Sequence, residues 1–262
     1  MRKTPALLPA TVLFLVVSFL AAGLFGALQP ATRIPVEVIQ LTQFGPALGV
    51  AVAALLWPGR VRVLLAGGLR GRGGRAAVLL VTAPLVIAVS AGAYAALTGD
   101  AHPTRPGAPF ALIAAAQLIG ACGEEIGWRC FLQPLLRTRL GVLPASIAVG
   151  AAWGVWHVQV LAQHPMYAGA FLVATVSMSV VMGWALDGTG VAGLPFAGGF
   201  HALVNLGMLV LMDEESGAVP PMVLFGASCL VAAVLWSWWG VRRGWRAAPA
   251  PDRLPRIMET VR

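Results

Sequence analysis

Two adjacent carboxylates, Glu124 and Glu125, lie inside a long apolar stretch of the chain, residues 109–136. An acidic side chain at the centre of a membrane-spanning helix costs about 2.5 to 3.5 kcal/mol on insertion scales. Residues four apart share a helix face, so Glu125 should face Arg129, which can neutralise it. Glu124 should face Trp128 instead and finds no cation on its own helix, which leaves it available as a general base. Alternatively, both glutamates hold helices together or line a water-filled crevice.

Two histidines also lie in apolar stretches. His157 follows Trp153 by one helical turn, and Asn205 follows His201 by one turn, so the members of each pair share a helix face. A single intramembrane histidine is explained by a hydrogen bond to a neighbouring helix. Two histidines, an asparagine and an unpaired glutamate on separate stretches are better explained by one polar cavity in which all of them meet.

The composition is that of a membrane protein. Of the 262 residues, 58% are hydrophobic and 11% are charged, which excludes an ordinary soluble domain. Eight apolar stretches predict eight transmembrane helices, because about 20 apolar residues span a bilayer. The stretches cover residues 7–28, 41–57, 76–97, 109–136, 142–161, 168–186, 191–212 and 222–241. The predicted fold class is therefore an all-α membrane protein, with eight transmembrane helices around a polar intramembrane cavity.

The net charge of +8 predicts topology rather than nucleic-acid binding. Arginine clusters follow the second, fourth and eighth stretches, as the positive-inside rule requires of cytoplasmic segments, whereas an acidic turn at residues 213–215 falls on the external side. We therefore expect both termini to be cytoplasmic, and an arginine- and alanine-rich composition suggests the plasma membrane of a bacterium. The lipid bilayer is an expected partner, and nucleic acid is not.

One integral membrane domain is expected over residues 1–246, and the motifs described below lie in a family-like core at about residues 109–212. Residues 247–262 are rich in proline and arginine and are expected to form a disordered basic tail. No internal repeat is evident, which weakens an interpretation as a transporter built from inverted halves. The three cysteines lack the spacing of a disulfide framework or of a zinc ribbon.

Three motifs together resemble the CAAX-processing and bacteriocin-processing (CPBP, or Abi) family of intramembrane endopeptidases. They are Glu124-Glu125-x-x-x-Arg129, Trp153-x-x-x-His157 and His201-x-x-x-Asn205, in that order on three predicted helices. Phenylalanine is frequent in the family where Trp153 stands here, and we expect this exchange not to disturb the site. The resemblance implies a protease whose active site lies within the membrane.

The resemblance also implies a role for each residue. Four side chains would act on the substrate: Glu124 as general base, His157 to orient or activate the water, and His201 with Asn205 to stabilise the tetrahedral oxyanion. Glu125 and Arg129 would support the site, with the arginine holding the second glutamate in place. The expected substrate is a peptide or protein at the membrane.

The sequence leaves the activation of the water and the function class open. Glu124, His157 and His201 could also bind Zn²⁺ and leave a fourth position for water. The usual helical His-Glu-x-x-His pattern is absent, and we expect a glutamate-dependent mechanism without a metal cofactor. The alternative functions are a proton-coupled transporter that uses these side chains as a relay, and a non-catalytic membrane scaffold of the same fold. The intact motif set argues against the scaffold.

Overall fold

The structure is a computed structural model that describes residues 7–99, 104–212 and 217–245. Within those ranges the chain is helical and contains no β-strand. The α-helices are α1 (Leu7–Thr32), α2 (Gly45–Leu56), α3 (Pro58–Leu65), α4 (Gly73–Thr98), α5 (Phe110–Gly127), α6 (Gln133–Arg137), α7 (Val142–Trp156), α8 (Pro165–Leu186), α9 (Leu194–Leu211) and α10 (Val219–Arg242). The predicted tail at residues 247–262 and the acidic turn at residues 213–215 lie outside the described residues.

Six helical segments in the described part of the chain are long and apolar enough to cross a membrane. They are Leu7–Thr32, Gly73–Thr98, Phe110–Arg137, Pro165–Leu186, Gly190–Leu211 and Val219–Arg242. The protein is thus an integral membrane protein whose described residues form an all-helical fold. The other two predicted spans, residues 41–57 and 142–161, differ from the expectation because they form the shorter apolar helices Leu41–Leu56 and Val142–Trp156.

Local chemistry explains why these two helices are short. Pro58 disfavours the helical conformation at Trp57, which adopts φ −135° and ψ 59°, and α2 ends there. At the end of α7, His157 adopts φ −78° and ψ 62°, and its Nδ1 lies 2.9 Å from the carbonyl oxygen of Trp153. The imidazole thus bonds to a carbonyl oxygen that would accept the backbone N–H of His157 in a regular helix. As a result His157 lies at a helix end, whereas the sequence predicted it inside a membrane span.

A π-helical turn, Trp128–Leu132, joins α5 to α6 directly after the two glutamates. The amide of Gln133 donates to the carbonyl of Trp128, five residues earlier. The next residue is Pro134, which has no amide hydrogen for the carbonyl of Cys130 and would clash with it in a regular helix. A wider turn resolves this conflict, and such turns are frequent at functional sites.

The helix with the two glutamates is enclosed by others. α5 packs between α2 and α9. From α9 the packing order is α4, α10, α8 and α7, and α7 contacts the π-helical turn that follows α5. α1 packs on the outside of α2. Its outer face exposes Leu8 and Leu20, each 70% accessible, and an apolar surface of this kind is suited to lipid contact rather than to water. The polar residues are therefore held inside an apolar shell.

Glycines on α5 allow the close approach of the segment that precedes and begins α2. A Cβ atom added at Gly123 would lie 2.9 Å from a ring carbon of Phe44, closer than side chains tolerate. A Cβ atom added at Gly127 would meet Pro46 and would lie 3.0 Å from Phe14 of α1. These contacts hold one face of α5 tightly against α1 and the start of α2. They therefore limit the rotation of α5 about its axis, which sets the direction of the two glutamates.

Candidate active site

Glu124 is buried and receives a hydrogen bond from another helix. Its side chain is 2% exposed, and the indole Nε1 of Trp153 in α7 donates to its Oε2 over 2.8 Å. Among the described residues, the Glu124 carboxylate forms no ion pair. One carboxylate oxygen is thus held by an indole, while the other has no assigned hydrogen-bond donor within the described part of the chain.

Glu125 connects α5 to two other polar groups. Its Oε2 lies 3.1 Å from Nε of Arg129, the contact that helix geometry predicts, and its Oε1 lies 2.9 Å from Nδ1 of His201 in α9. The contact with Arg129 is ionic and lacks hydrogen-bond geometry. Glu125 is fully buried, so both contacts are desolvated and strong. The sequence predicted the first contact and gave no sign of the second.

The partners of the two histidines determine which ring nitrogen is free. A carbonyl oxygen only accepts hydrogen bonds, so Nδ1 of His157 must carry the proton that it donates to Trp153. In the neutral ring, Nε2 of His157 therefore holds a lone pair. Nδ1 of His201 likewise donates to the Glu125 carboxylate, which leaves its Nε2 for a ligand or substrate. Both tautomers are assigned from these partners.

Trp153 is the common neighbour of four predicted site residues, Glu124, His157, His201 and Arg129. Its ring centroid lies 5.0 Å from that of His201 and 6.0 Å from that of His157, and Cζ of Arg129 lies 4.8 Å above the ring. A cation over an indole is attracted to its π face. Sequence reasoning gave Trp153 no role beyond that of an aromatic residue before His157. Tryptophan differs from phenylalanine at this position by the indole N–H, which donates to Glu124.

Asn205 lies one turn beyond His201 and is positioned by a glutamine that the motifs do not contain. Its Nδ2 donates to Oε1 of Gln117 in α5 over 3.1 Å. The Nε2 of Gln117 in turn donates to the backbone carbonyl of Glu37 over 3.3 Å. One N–H of the Asn205 amide is thereby used, and the other has no assigned acceptor among the residues that the structure describes. Gln117 precedes Glu124 by seven residues, two helical turns, and this spacing was the only signal of it in the sequence.

The predicted residues do not form a metal site in this structure. Among the described residues, no group of three or more His, Cys, Asp or Glu side chains has an arrangement that could hold a metal ion. Glu124 interacts electrostatically with both His157 and His201. The side chains of Glu124, His157 and His201 therefore do not fit zinc coordination as they lie in this structure, and no step of the mechanism below uses a metal.

Comparisons with known proteins agree with the motifs. Residues 106–207 match the family described as Type II CAAX prenyl endopeptidase Rce1-like, and all the predicted site residues fall inside this segment. Lysostaphin resistance protein A of Staphylococcus epidermidis is 29% identical over 110 residues, which are 42% of this chain and 28% of the relative. The protein of the same name from Staphylococcus aureus is 28% identical over 126 residues, which are 48% of this chain and 30% of the relative.

The matched region thus spans less than a third of the length of these relatives. Residues 106–207, which match the family, contain the two glutamates, Trp153 and both histidines. The predicted resemblance to the CPBP family is confirmed, since residues 106–207 are similar to the Rce1-like CAAX endopeptidase family.

Proposed function

We propose that this protein is an intramembrane endopeptidase that hydrolyses a peptide bond of a membrane-associated peptide or protein. The observation that carries the proposal is the position of Glu124, which is buried, forms no ion pair among the described residues and is held through one oxygen by Trp153. A carboxylate oriented in this way can take a proton from water with its second oxygen. The match of residues 106–207 to an endopeptidase family supports the same reaction.

In the proposed mechanism, Glu124 removes a proton from water as the water oxygen attacks the carbonyl carbon of the scissile bond. Nε2 of His157 accepts the second O–H of this water and orients it. The tetrahedral intermediate then collapses, the C–N bond breaks, and the proton held by Glu124 passes to the leaving amine. One water is consumed for each bond cut, and the products are a carboxylic acid and an amine.

His201 and Asn205 face the negative oxygen of the tetrahedral intermediate in this proposal. To donate a hydrogen bond, Nε2 of His201 must carry a proton. Nδ1 already carries one, so the ring is then an imidazolium, and the Glu125 carboxylate beside Nδ1 stabilises its positive charge. The free N–H of Asn205, oriented by Gln117, supplies a second donor. Removing one such donor from an oxyanion site typically costs about 2.7 to 4 kcal/mol of transition-state stabilisation.

The experiment compares membranes that carry the wild-type chain, Glu124→Gln or Glu37→Gln, and identifies new peptide termini by mass spectrometry. Glu124→Gln keeps the size of the side chain and removes the base. Glu37→Gln makes the same chemical change at a partly exposed acid whose carboxylate contacts only the amide of Gly107 among the described residues. We expect the termini to disappear with Glu124→Gln and to persist with Glu37→Gln.

Termini that persist in a folded and abundant Glu124→Gln protein would refute catalysis and favour the scaffold. The same membranes test the proposed location, the bacterial plasma membrane with both termini in the cytoplasm. Tags at the two ends of the chain should be digested by protease in inverted vesicles and protected in intact cells.

A further inference from the structure

One face of α10 is exposed and changes from apolar to cationic along the helix. Its residues are spaced by four, three and four positions and therefore lie in one column: Val231, Leu235, Trp238 and Arg242. We call these four residues the α10 stripe. The first three are 59%, 58% and 54% accessible, and the arginine is also exposed. An exposed apolar column of this kind suits contact with lipid tails, and its charged end suits a headgroup.

The α10 stripe spans the level at which a membrane changes from hydrocarbon to headgroups. α10 has 24 residues, which at 1.5 Å per residue is a length of about 36 Å, whereas a hydrocarbon core is about 30 Å thick. Arg242 is the last residue of the helix and Trp238 lies one turn earlier. These two side chains therefore fall at the interface, where tryptophan is enriched. Val231 and Leu235 lie deeper, at the level of the acyl chains.

The guanidinium of Arg242 is positioned but has no anionic partner among the described residues. Its Cζ lies 4.7 Å from the centroid of the Trp238 ring, a cation–π contact that leaves the N–H groups at the edge of the guanidinium free to donate. Arg137, in contrast, already donates two hydrogen bonds to Asp187, of 2.8 and 3.1 Å. The charge of Arg242 is thus available to a partner outside the described part of the chain.

The end of α10 does not need Arg242 as a cap. The amide of Trp245 donates to the carbonyl of Gly240 over 3.0 Å, which closes the helix through the backbone. Gly244 allows this closure because its φ is +55°, in the left-handed region. The Trp245 ring then packs against that of Trp239, with centroids 4.7 Å apart. The helix end is therefore fixed without the arginine side chain, which remains exposed.

The end of the bundle at which α10 terminates is strongly basic. Asp187 is the only acid that the described residues place there, and the arginines number five in residues 60–75, two in residues 137–139 and two in residues 242–243. These segments meet because α3 contacts α6, α8 packs on α10, and Arg75 donates to the carbonyl of Trp184 over 3.2 Å. Their combined field attracts an anionic headgroup and opposes the cationic group of a zwitterionic lipid.

We propose that the α10 stripe binds an anionic phospholipid, with an acyl chain along Val231 and Leu235 and the phosphate at Arg242. The exposed indole N–H of Trp238 supplies a second donor to the headgroup. A second copy of this chain fits the stripe less well, because two parallel copies would bring their Arg242 side chains together. An acidic protein segment would pair with the arginine but would leave the apolar part of the stripe uncovered.

Native mass spectrometry of the full chain, released from detergent micelles, measures the lipid that stays bound. The probes are 1-palmitoyl-2-oleoyl phosphatidylglycerol and the phosphatidylcholine with the same acyl chains, which differ only in the headgroup. Arg242→Gln removes the charge of the stripe, and Trp238→Leu removes the ring and its N–H but keeps an apolar side chain. Arg62→Gln is the matched control, because it removes the same charge from an exposed arginine of α3 at the same end of the bundle.

We expect the wild type and Arg62→Gln to bind phosphatidylglycerol in preference to phosphatidylcholine. Arg242→Gln should weaken the binding of phosphatidylglycerol by about fivefold, the effect of one arginine near an anionic membrane surface. Trp238→Leu should weaken it in the same direction. Both substitutions are at exposed positions, so both variants should elute as folded monodisperse species.

Three results would overturn the proposal. The first is equal binding of the two lipids by the wild type, and the second is unchanged binding in Arg242→Gln. The third is an equal loss in Arg62→Gln and Arg242→Gln, since net charge alone would then explain the preference. A lipid-free mass of two chains would assign the stripe to a second copy, and binding of an oligoglutamate peptide in place of phosphatidylglycerol would assign it to an acidic protein segment; either result also contradicts the lipid. The assay needs no substrate, so its outcome is independent of the proteolysis experiment.

Discussion

Replacing Trp153 by phenylalanine removes one hydrogen bond from the candidate active site and leaves an aromatic ring in place. The indole Nε1 is the donor to Oε2 of Glu124 at 2.8 Å, and both side chains are 2% exposed. Phenylalanine keeps an aromatic ring at this buried position and adds no polar atom there, so we expect Trp153→Phe to fold. The carboxylate would lose the contact that orients it.

The magnitude follows from the burial and charge of the acceptor. A hydrogen bond to a charged group contributes about 1.5 to 3 kcal/mol. If the whole of it is used to orient the base in the transition state, the rate falls by about ten- to a hundredfold, at 1.36 kcal/mol for each factor of ten. Because Trp153 does not touch the substrate in the proposed mechanism, the loss should appear in kcat rather than in KM.

The assay measures how fast the cleavage products of the wild-type protein form in reconstituted vesicles. The matched control is Trp156→Phe, one turn later on α7. Trp156 is 6% exposed and also loses an indole donor, but its Nε1 donates to the backbone carbonyl of Ser18 over 3.4 Å and not to Glu124. We expect Trp156→Phe to retain most of the activity. Equal kcat values for the two variants would refute the positioning role of Trp153.

Two further substitutions test the groups around the base. Glu125→Gln should lower the thermal unfolding midpoint in detergent, since it leaves Arg129 as an unpaired buried charge at a cost of about 3 to 5 kcal/mol. The double variant Glu125→Gln with Arg129→Met should recover part of the stability but not the activity. An unchanged midpoint in the single variant would contradict this prediction. Gln117→Leu should lower kcat by about fivefold through the loss of one hydrogen bond of about 1 kcal/mol to Asn205, and the effect should vanish in a chain that already carries Asn205→Ala.

The composition and residue spacing were sufficient to predict the class of the protein. Apolar stretches separated by arginine clusters predict membrane helices whatever their packing, because lipid forces each segment to satisfy its own backbone. The contact of Glu125 with Arg129 was also predictable, since residues four apart on one helix must be neighbours. The three motifs predicted the family because they retain residue type and order.

The lengths of the helices were less predictable. Apolarity alone does not reveal that α2 ends before Pro58, or that the imidazole of His157 takes the carbonyl of Trp153 and ends α7. The π-helical turn after the two glutamates was also missed, because a proline in an apolar stretch does not specify how the helix adapts to it.

What only the tertiary structure decided is which side chains meet across helices. The sequence alone determined that the chain is an integral membrane protein, that Glu124 has no cation on its own helix, and that the motifs are those of an endopeptidase family. The hydrogen bond from Trp153 to Glu124 spans 29 residues of chain, and the contact of Glu125 with His201 spans 76. Such pairings depend on how α5, α7 and α9 pack and rotate against one another, and no local spacing encodes them.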